Sequence, residues 1–276
     1  MVRSHHRGQV SSLAELFARV RAERRAALVG YLPAGFPSDA DAIDGFRAMV
    51  DAGVDVVEVG LPYSDPLMDG PTIQQAVDAA RRAGTTTATV LRTVEAVART
   101  GVPTLVMTYW NPVERYGVDR FARDLSAAGG AGVITPDLLP EEAGPWLAAV
   151  GDAALDPVFL VAPSSTDERI AATAQVTRGF LYAASTMGVT GARDAVSDRA
   201  AELVARVRKQ TDLPIGLGLG VSTGPQAAEV AAYADGVIVG SAFVRCLLDA
   251  TSPRDGFAAL TKLTVELASG VRSGGS

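Results

Sequence analysis

Short apolar runs alternate with longer stretches in which apolar positions return every three or four residues. The runs are AALVGYL (26–32), VDVVEVG (54–60), PTLVMTY (103–109), AGVITPD (131–137), PVFLVAP (157–163), GFLYAAS (179–185), LPIGLGLG (213–220) and DGVIVGS (235–241). Their apolar character is continuous rather than alternating, which predicts strands covered on both faces, as in parallel sheets. SDADAIDGFRAMVDAG (38–53), GVDRFARDLSAAG (117–129) and STGPQAAEVAAYA (222–234) carry the helical period, and SDAD and STDE open helices with capping residues. Before the first run, LAELFARVRAERRA (13–26) places Leu13, Leu16, Phe17 and Val20 on one face of an amphipathic helix.

Eight such strands with intervening helices predict a (β/α)8 TIM barrel extended by one N-terminal helix, and the 276 residues suit the ~250 such a barrel needs. No linker or composition shift divides the chain, so one domain is expected over 1–276, with flexible tails at 1–11 and 270–276. An open doubly wound sheet is the alternative. Against it, no G-x-G-x-x-G follows the first run and the glycine-rich segments come late.

Composition removes whole classes of chemistry. With 48% hydrophobic and 20% charged residues and a net charge of −6, nothing invites nucleic acid or an anionic membrane. No apolar run approaches the ~20 residues of a membrane span, and MVRSHHRGQVSS lacks the apolar middle of a secretory signal, so a cytoplasmic location is expected. Cys246 is the only cysteine, and the only histidines, His5 and His6, lie in the polar N-terminal segment. Disulfides, cysteine or multi-histidine metal sites and a Ser-His-Asp triad are therefore not expected, and acid–base work falls to carboxylates, lysine or tyrosine.

Glu58 is the one carboxylate set deep inside an apolar run, at the C-terminal end of the second strand, where barrel active sites lie. Unpaired and ionised, it would cost several kcal/mol, so it must be paired, hydrated or protonated. No strand run contains Lys or Arg, which favours a functional group of raised pKa over a buried ion pair. Asp69, in the loop that follows, can stay ionised and accept a substrate N–H, although MDGP also reads as a turn with a helix-starting proline. Asp65 reads as a loop-shaping residue. Gly216, Gly218 and Gly220, with Gly240 and Ser241 at the end of the last run, suggest a phosphate site built from consecutive loops and a helix N-terminus. ASTMGVTGARDAVS (184–197), with Thr186, Gly188, Thr190 and Gly191, suits a closing lid or an ordinary surface loop. Tyr109 and Tyr182 end strands, where each either lines an aromatic pocket or simply packs.

EVGLPYSDPLMDGPTIQ, YAASTMGVTGARD, GLGLGVST and IVGSA together resemble the alpha subunit of tryptophan synthase, in order and along nearly the whole chain, and MTYWNPVERYGVD resembles its actinobacterial branch. The resemblance implies retro-aldol cleavage of indole-3-glycerol phosphate to indole and glyceraldehyde 3-phosphate, without metal or organic cofactor on this chain. It implies Glu58 as the catalytic glutamate, protonating indole C3 and helping to deprotonate the glycerol hydroxyl. Asp69 would hold the indole N–H. Tyr182 would lie near the glutamate, Gly191, Gly220, Gly240 and Ser241 would contact phosphate, and Thr190 would meet the aspartate from the lid. It further implies a pyridoxal-phosphate (PLP) beta subunit as partner, in an assembly of two alpha and two beta subunits, with contacts through PYSDPLMDGP and the lid. The chain departs from many members at Tyr31, where they carry phenylalanine, and at Phe36, where they carry aspartate, a change expected to alter the loop by the indole pocket. Three other readings share part of this pattern: a stand-alone indole-releasing enzyme, a phosphate-binding regulatory subunit of low turnover, and a different phosphate-binding isomerase or epimerase. Retention of both Glu58 and Asp69 speaks against the regulatory subunit, and GLPYSDPLMDGP against the isomerase.

Overall fold

The computed structural model describes residues 11–185 and 193–274. Its strands are β1 (Ala27–Pro33), β2 (Val56–Gly60), β3 (Thr104–Met107), β4 (Gly132–Ile134), β5 (Asp156–Val158), β6 (Leu160–Val161), β7 (Leu181–Ala184), β8 (Ile215–Gly218) and β9 (Gly236–Val239). The helices up to the middle of the chain are α1 (Ser12–Ala22), α2 (Asp39–Asp51), α3 (Pro71–Arg82), α4 (Thr87–Ala98), α5 (Trp110–Tyr116) and α6 (Val118–Ala127). Then come α7 (Gly144–Asp152), α8 (Asp167–Val176), α9 (Arg193–Arg208), α10 (Gly224–Ala231), α11 (Ser241–Leu248) and α12 (Pro253–Ser273).

All strand pairs are parallel, in the order β5-β4-β3-β2-β1-β9-β8-β7-β6. The two ends of that order are halves of one run interrupted only at Phe159. Its first half pairs with β4 and its second with β7, and the Tyr182 N–H donates to the Phe159 carbonyl at 3.1 Å across the join. The sheet therefore closes into the expected (β/α)8 barrel, with its fifth strand split in two.

Inward positions alternate along each strand. Val29, Val56, Leu105, Ile134, Val158, Phe180 and Ile238 fill the interior. From below, α1 buries Leu13, Leu16, Phe17 and Val20 into the same cluster, with the Phe17 and Phe180 ring centroids 5.5 Å apart. Full burial of such side chains stabilises by roughly 1.5–3 kcal/mol each, too much for α1 to be an appendage. Ser11 caps it, its hydroxyl accepting from the Ala14 N–H at 3.2 Å. Beneath β1 and β2, the Arg25 guanidinium forks onto Asp55 at 2.8 and 2.9 Å, and Asp55 also accepts the Leu28 N–H at 2.9 Å. The caps read from SDAD and STDE are Ser38 on α2 and Thr166 on α8.

The flexible tail expected over 270–276 is corrected for residues 270–274, and residues 275–276 lie outside the described residues. Helix α12 runs to Ser273 with Gly270 and Val271 buried. Its glycines are contact residues: a Cβ on Gly270 would fall 2.3 Å from the Gly224 carbonyl oxygen of α10. Small residues there let two helix backbones meet, whereas a composition rich in Gly and Ser reads as loose chain.

Candidate active site

Val56, Glu58 and Gly60 occupy successive inward positions of β2, so Glu58 rises from an apolar floor into the mouth of the barrel. It is 1% exposed, and its Oε1 has no hydrogen-bond partner among the described residues. Burial alone pushes its pKa up to about 8. Of the three fates open to it, pairing is absent among the described residues, and a pKa pushed up to about 8 favours the protonated form near neutral pH.

Two phenols flank the carboxyl. Tyr31 of β1 lies beside Glu58 in register, and Tyr182 of β7 faces it from across the barrel, close enough that each feels its charge. Burial holds both phenols well above their usual pKa, so they remain neutral donors. Tyr182 stands on Phe180, ring centroids 6.4 Å apart, and this column explains two glycines. A Cβ on Gly218 would lie 2.6 Å from the Tyr182 hydroxyl, and one on Gly216 would lie 2.9 Å from the Phe180 ring. Gly216 and Gly218 therefore make room for aromatic rings inside the barrel, which corrects their grouping with the phosphate glycines.

Asp69 sits half-buried in the loop between β2 and α3. Desolvation raises its pKa, and a hydrogen bond donated by the Tyr109 hydroxyl at 3.2 Å works the other way, favouring the charged form. The same hydroxyl accepts the Met68 N–H at 3.0 Å, and Gln74 Nε2 donates to the Asp69 carbonyl at 2.7 Å. Three contacts, two from Tyr109 at the start of α5 and one from α3, thus fix the loop. Pro71 begins α3 as the MDGP reading expected, and the Ser64 hydroxyl donates to the Asp65 carboxylate beside it. The sequence offered Tyr109 only as lining or packing; its service to Asp69 depends on a loop folding back across 40 residues. Tyr31 carried no site reading at all, although its alternation in AALVGYL marks it as the last inward residue of β1.

The glycine loops meet because β8 and β9 are neighbours in the sheet. Gly220 has φ +74°, a left-handed conformation that favours glycine. Gly240 caps α11 without a side-chain bond, and the helix begins at Ser241, so its first N–H groups face the barrel mouth as a ready anion site. Thr190 and Gly191, with Thr186 and Gly188, lie outside the described residues. Phe36 is buried among the side chains between barrel and helices, with Pro37 in a cis bond behind it.

Across residues 17–272 the chain matches the family model described as tryptophan synthase alpha chain. It is 62% identical over 263 residues to the tryptophan synthase alpha chain of Acidothermus cellulolyticus, covering 95% of this chain and 98% of that one. The Nocardia farcinica alpha chain is 60% identical over 265 residues, covering 96% and 97%. Among solved structures, an open form of tryptophan synthase from M. tuberculosis superposes with a TM-score of 0.88 at 53% identity, covering 96% of this chain and 100% of that one. The alpha chain from Legionella pneumophila reaches a TM-score of 0.86 at 29% identity, covering 95% and 98%.

Proposed function

The chain belongs to the tryptophan synthase alpha chain family, and on that premise we propose that Glu58 and Asp69 divide the chemistry of its reaction between them. The protein is a carbon–carbon lyase that cleaves indole-3-glycerol phosphate to indole and glyceraldehyde 3-phosphate in tryptophan biosynthesis, together with a beta subunit.

Cleavage requires a proton on indole C3, where the side chain is attached, and removal of one from the hydroxyl on the adjoining carbon. Protonation turns the ring into a cation. When the hydroxyl proton leaves, the O–H pair becomes the aldehyde C=O, the C–C pair returns to the ring, and the nitrogen is neutral again. Glu58, with a carboxyl pushed up to about 8 and no partner on Oε1 among the described residues, is suited to deliver the first proton and then, as carboxylate, to take the second. That unpaired, apolar-set carboxyl is the observation that carries the reading. Asp69, aimed by Tyr109, accepts the indole N–H and opposes the positive charge that grows on the ring. Tyr182 walls the pocket beside Glu58. Gly220, Gly240 and Ser241 form the phosphate end, to which the family resemblance adds Gly191, with Thr190 as the lid residue that meets Asp69.

Every step uses side chains of this chain, so no cofactor of its own is called for, and PLP belongs to the partner. Leu67 is 76% and Met68 48% exposed on the loop that carries Asp69, and apolar side chains so placed support that loop as the beta-subunit contact. No helix among the described residues is long and apolar enough to cross a membrane, which is compatible with a cytoplasmic enzyme.

Indole release from indole-3-glycerol phosphate, with and without the cognate beta subunit, tests the reading. Slow release that rises sharply on adding the partner is expected, with the rate falling as pH climbs through about 8, where Glu58 loses its proton. No release in either condition would overturn it, and fast release indifferent to the partner would point to a stand-alone enzyme.

A further inference from the structure

The order β2-β1-β9-β8 leaves β1 between the two halves of the site: Glu58 and the Asp69 loop on one side, the phosphate glycines on the other. Any molecule with its phosphate at Gly240 and Ser241 and its ring between Glu58 and Asp69 must cross the mouth of β1. Tyr31 is the side chain it crosses. One edge of its ring lies against Gly240, where a Cβ would fall 3.3 Å away. Its hydroxyl lies over Gly60, where a Cβ would fall 2.4 Å from the oxygen, so Tyr31 takes the space that Gly60 leaves and packs closely on Gly240.

The side chain is only 7% exposed, yet its hydroxyl makes no hydrogen bond to another described residue. The hydroxyl oxygen itself is not fully buried, so it opens to the barrel mouth and is free to donate to a ligand there. Burial, and after it the nearby Asp69 carboxylate, hold the phenol in its neutral, donating form. What passes above it, on the reading just proposed, is the part of the substrate that carries free hydroxyls, between the indole ring and the phosphate.

We infer that the Tyr31 hydroxyl is a substrate-binding group that hydrogen-bonds a hydroxyl of the glycerol chain and so fixes how that chain lies over Glu58. A phenylalanine at this position would offer the same ring and none of this bond. The inference rests on the proposed site, and its test separates the two. In a Glu58→Gln background, which stops turnover, calorimetry would compare binding of indole-3-glycerol phosphate with that of indole-3-propanol phosphate, which lacks both chain hydroxyls. Adding Tyr31→Phe is expected to weaken the first ligand roughly three- to tenfold, the worth of one neutral hydrogen bond. The second ligand should be unaffected, which also reports that the pocket is intact. Equal weakening of both ligands would mean that the hydroxyl acts through Asp69 or through packing, and no weakening would mean that it touches nothing; either result overturns the inference and leaves Glu58 untouched. Failure of both ligands to bind while Tyr31 is present would instead fault the site itself.

Discussion

Glu58→Gln is expected to lower indole release by roughly two to four orders of magnitude, the contribution of a positioned general acid–base group, and this residue is proposed to act in both directions. Glutamine keeps the shape and hydrogen-bonding reach of the side chain while removing the proton that has to move. Glycerol phosphate binding, read by calorimetry, should persist, because the phosphate end lies across the barrel mouth at Gly240 and Ser241. Near-normal turnover would end the general-acid assignment.

The same substitution has a second expected effect, on stability. Below the ordinary carboxyl value of 4.5, Glu58 is protonated both folded and unfolded and contributes no pH dependence. Between 4.5 and about 8 the unfolded chain releases the proton while the folded chain keeps it. The unfolded state then binds fewer protons, so wild-type stability from this group falls as pH rises, by at most about 1.4 kcal/mol per unit. Above about 8 both forms are ionised and the loss is complete. Glutamine has no proton to lose. The variant should therefore melt above the wild type at pH 8, with a gap that closes towards pH 4.5. A gap independent of pH would mean that Glu58 is not held protonated in the folded protein. A catalytic group that weakens the fold at working pH is the usual exchange of stability for function.

Glu58 was legible in the sequence because a carboxylate set between valines near the C-terminal end of an apolar run, with no Lys or Arg in any other run, has few innocent explanations. The barrel was legible for a related reason: continuous apolar runs alternating with helical periods leave few closed arrangements. Gly216 and Gly218 were not. Glycine at every second position can mark a phosphate loop or a barrel wall thinned to admit large rings, and only the column of Phe17, Phe180 and Tyr182 decides between them. Tyr109 and Tyr31 escaped for a different reason. Their roles come from what lies beside them in space, Asp69 from a returning loop and Gly60 from the neighbouring strand, and nothing local encodes either contact. The C-terminal glycines misled in the opposite direction, since close helix packing and loose chain draw on the same small residues.

Asp69→Asn is expected to reduce cleavage by about two to three orders of magnitude, the scale seen when one preorganised electrostatic partner of a transition state is removed. The loop should survive the change. Tyr109 can donate to the amide oxygen as it does to the carboxylate, and the Gln74 and Met68 bonds use backbone atoms at this end. What disappears is the negative charge facing the ring nitrogen at the moment C3 is protonated. The loss should accordingly fall on kcat more than on KM, because the charge opposes a cation that exists only along the reaction path. A substrate methylated on the ring nitrogen provides the complementary cut, since it cannot donate to Asp69 at all. In wild type it should turn over far more slowly than the parent, and in Asp69→Asn the methyl group should cost little more. Additive losses would separate Asp69 from the ring nitrogen, and a mild effect of Asp69→Asn alone, with a lowered melting temperature, would reduce Asp69 to the turn-former that MDGP also allows.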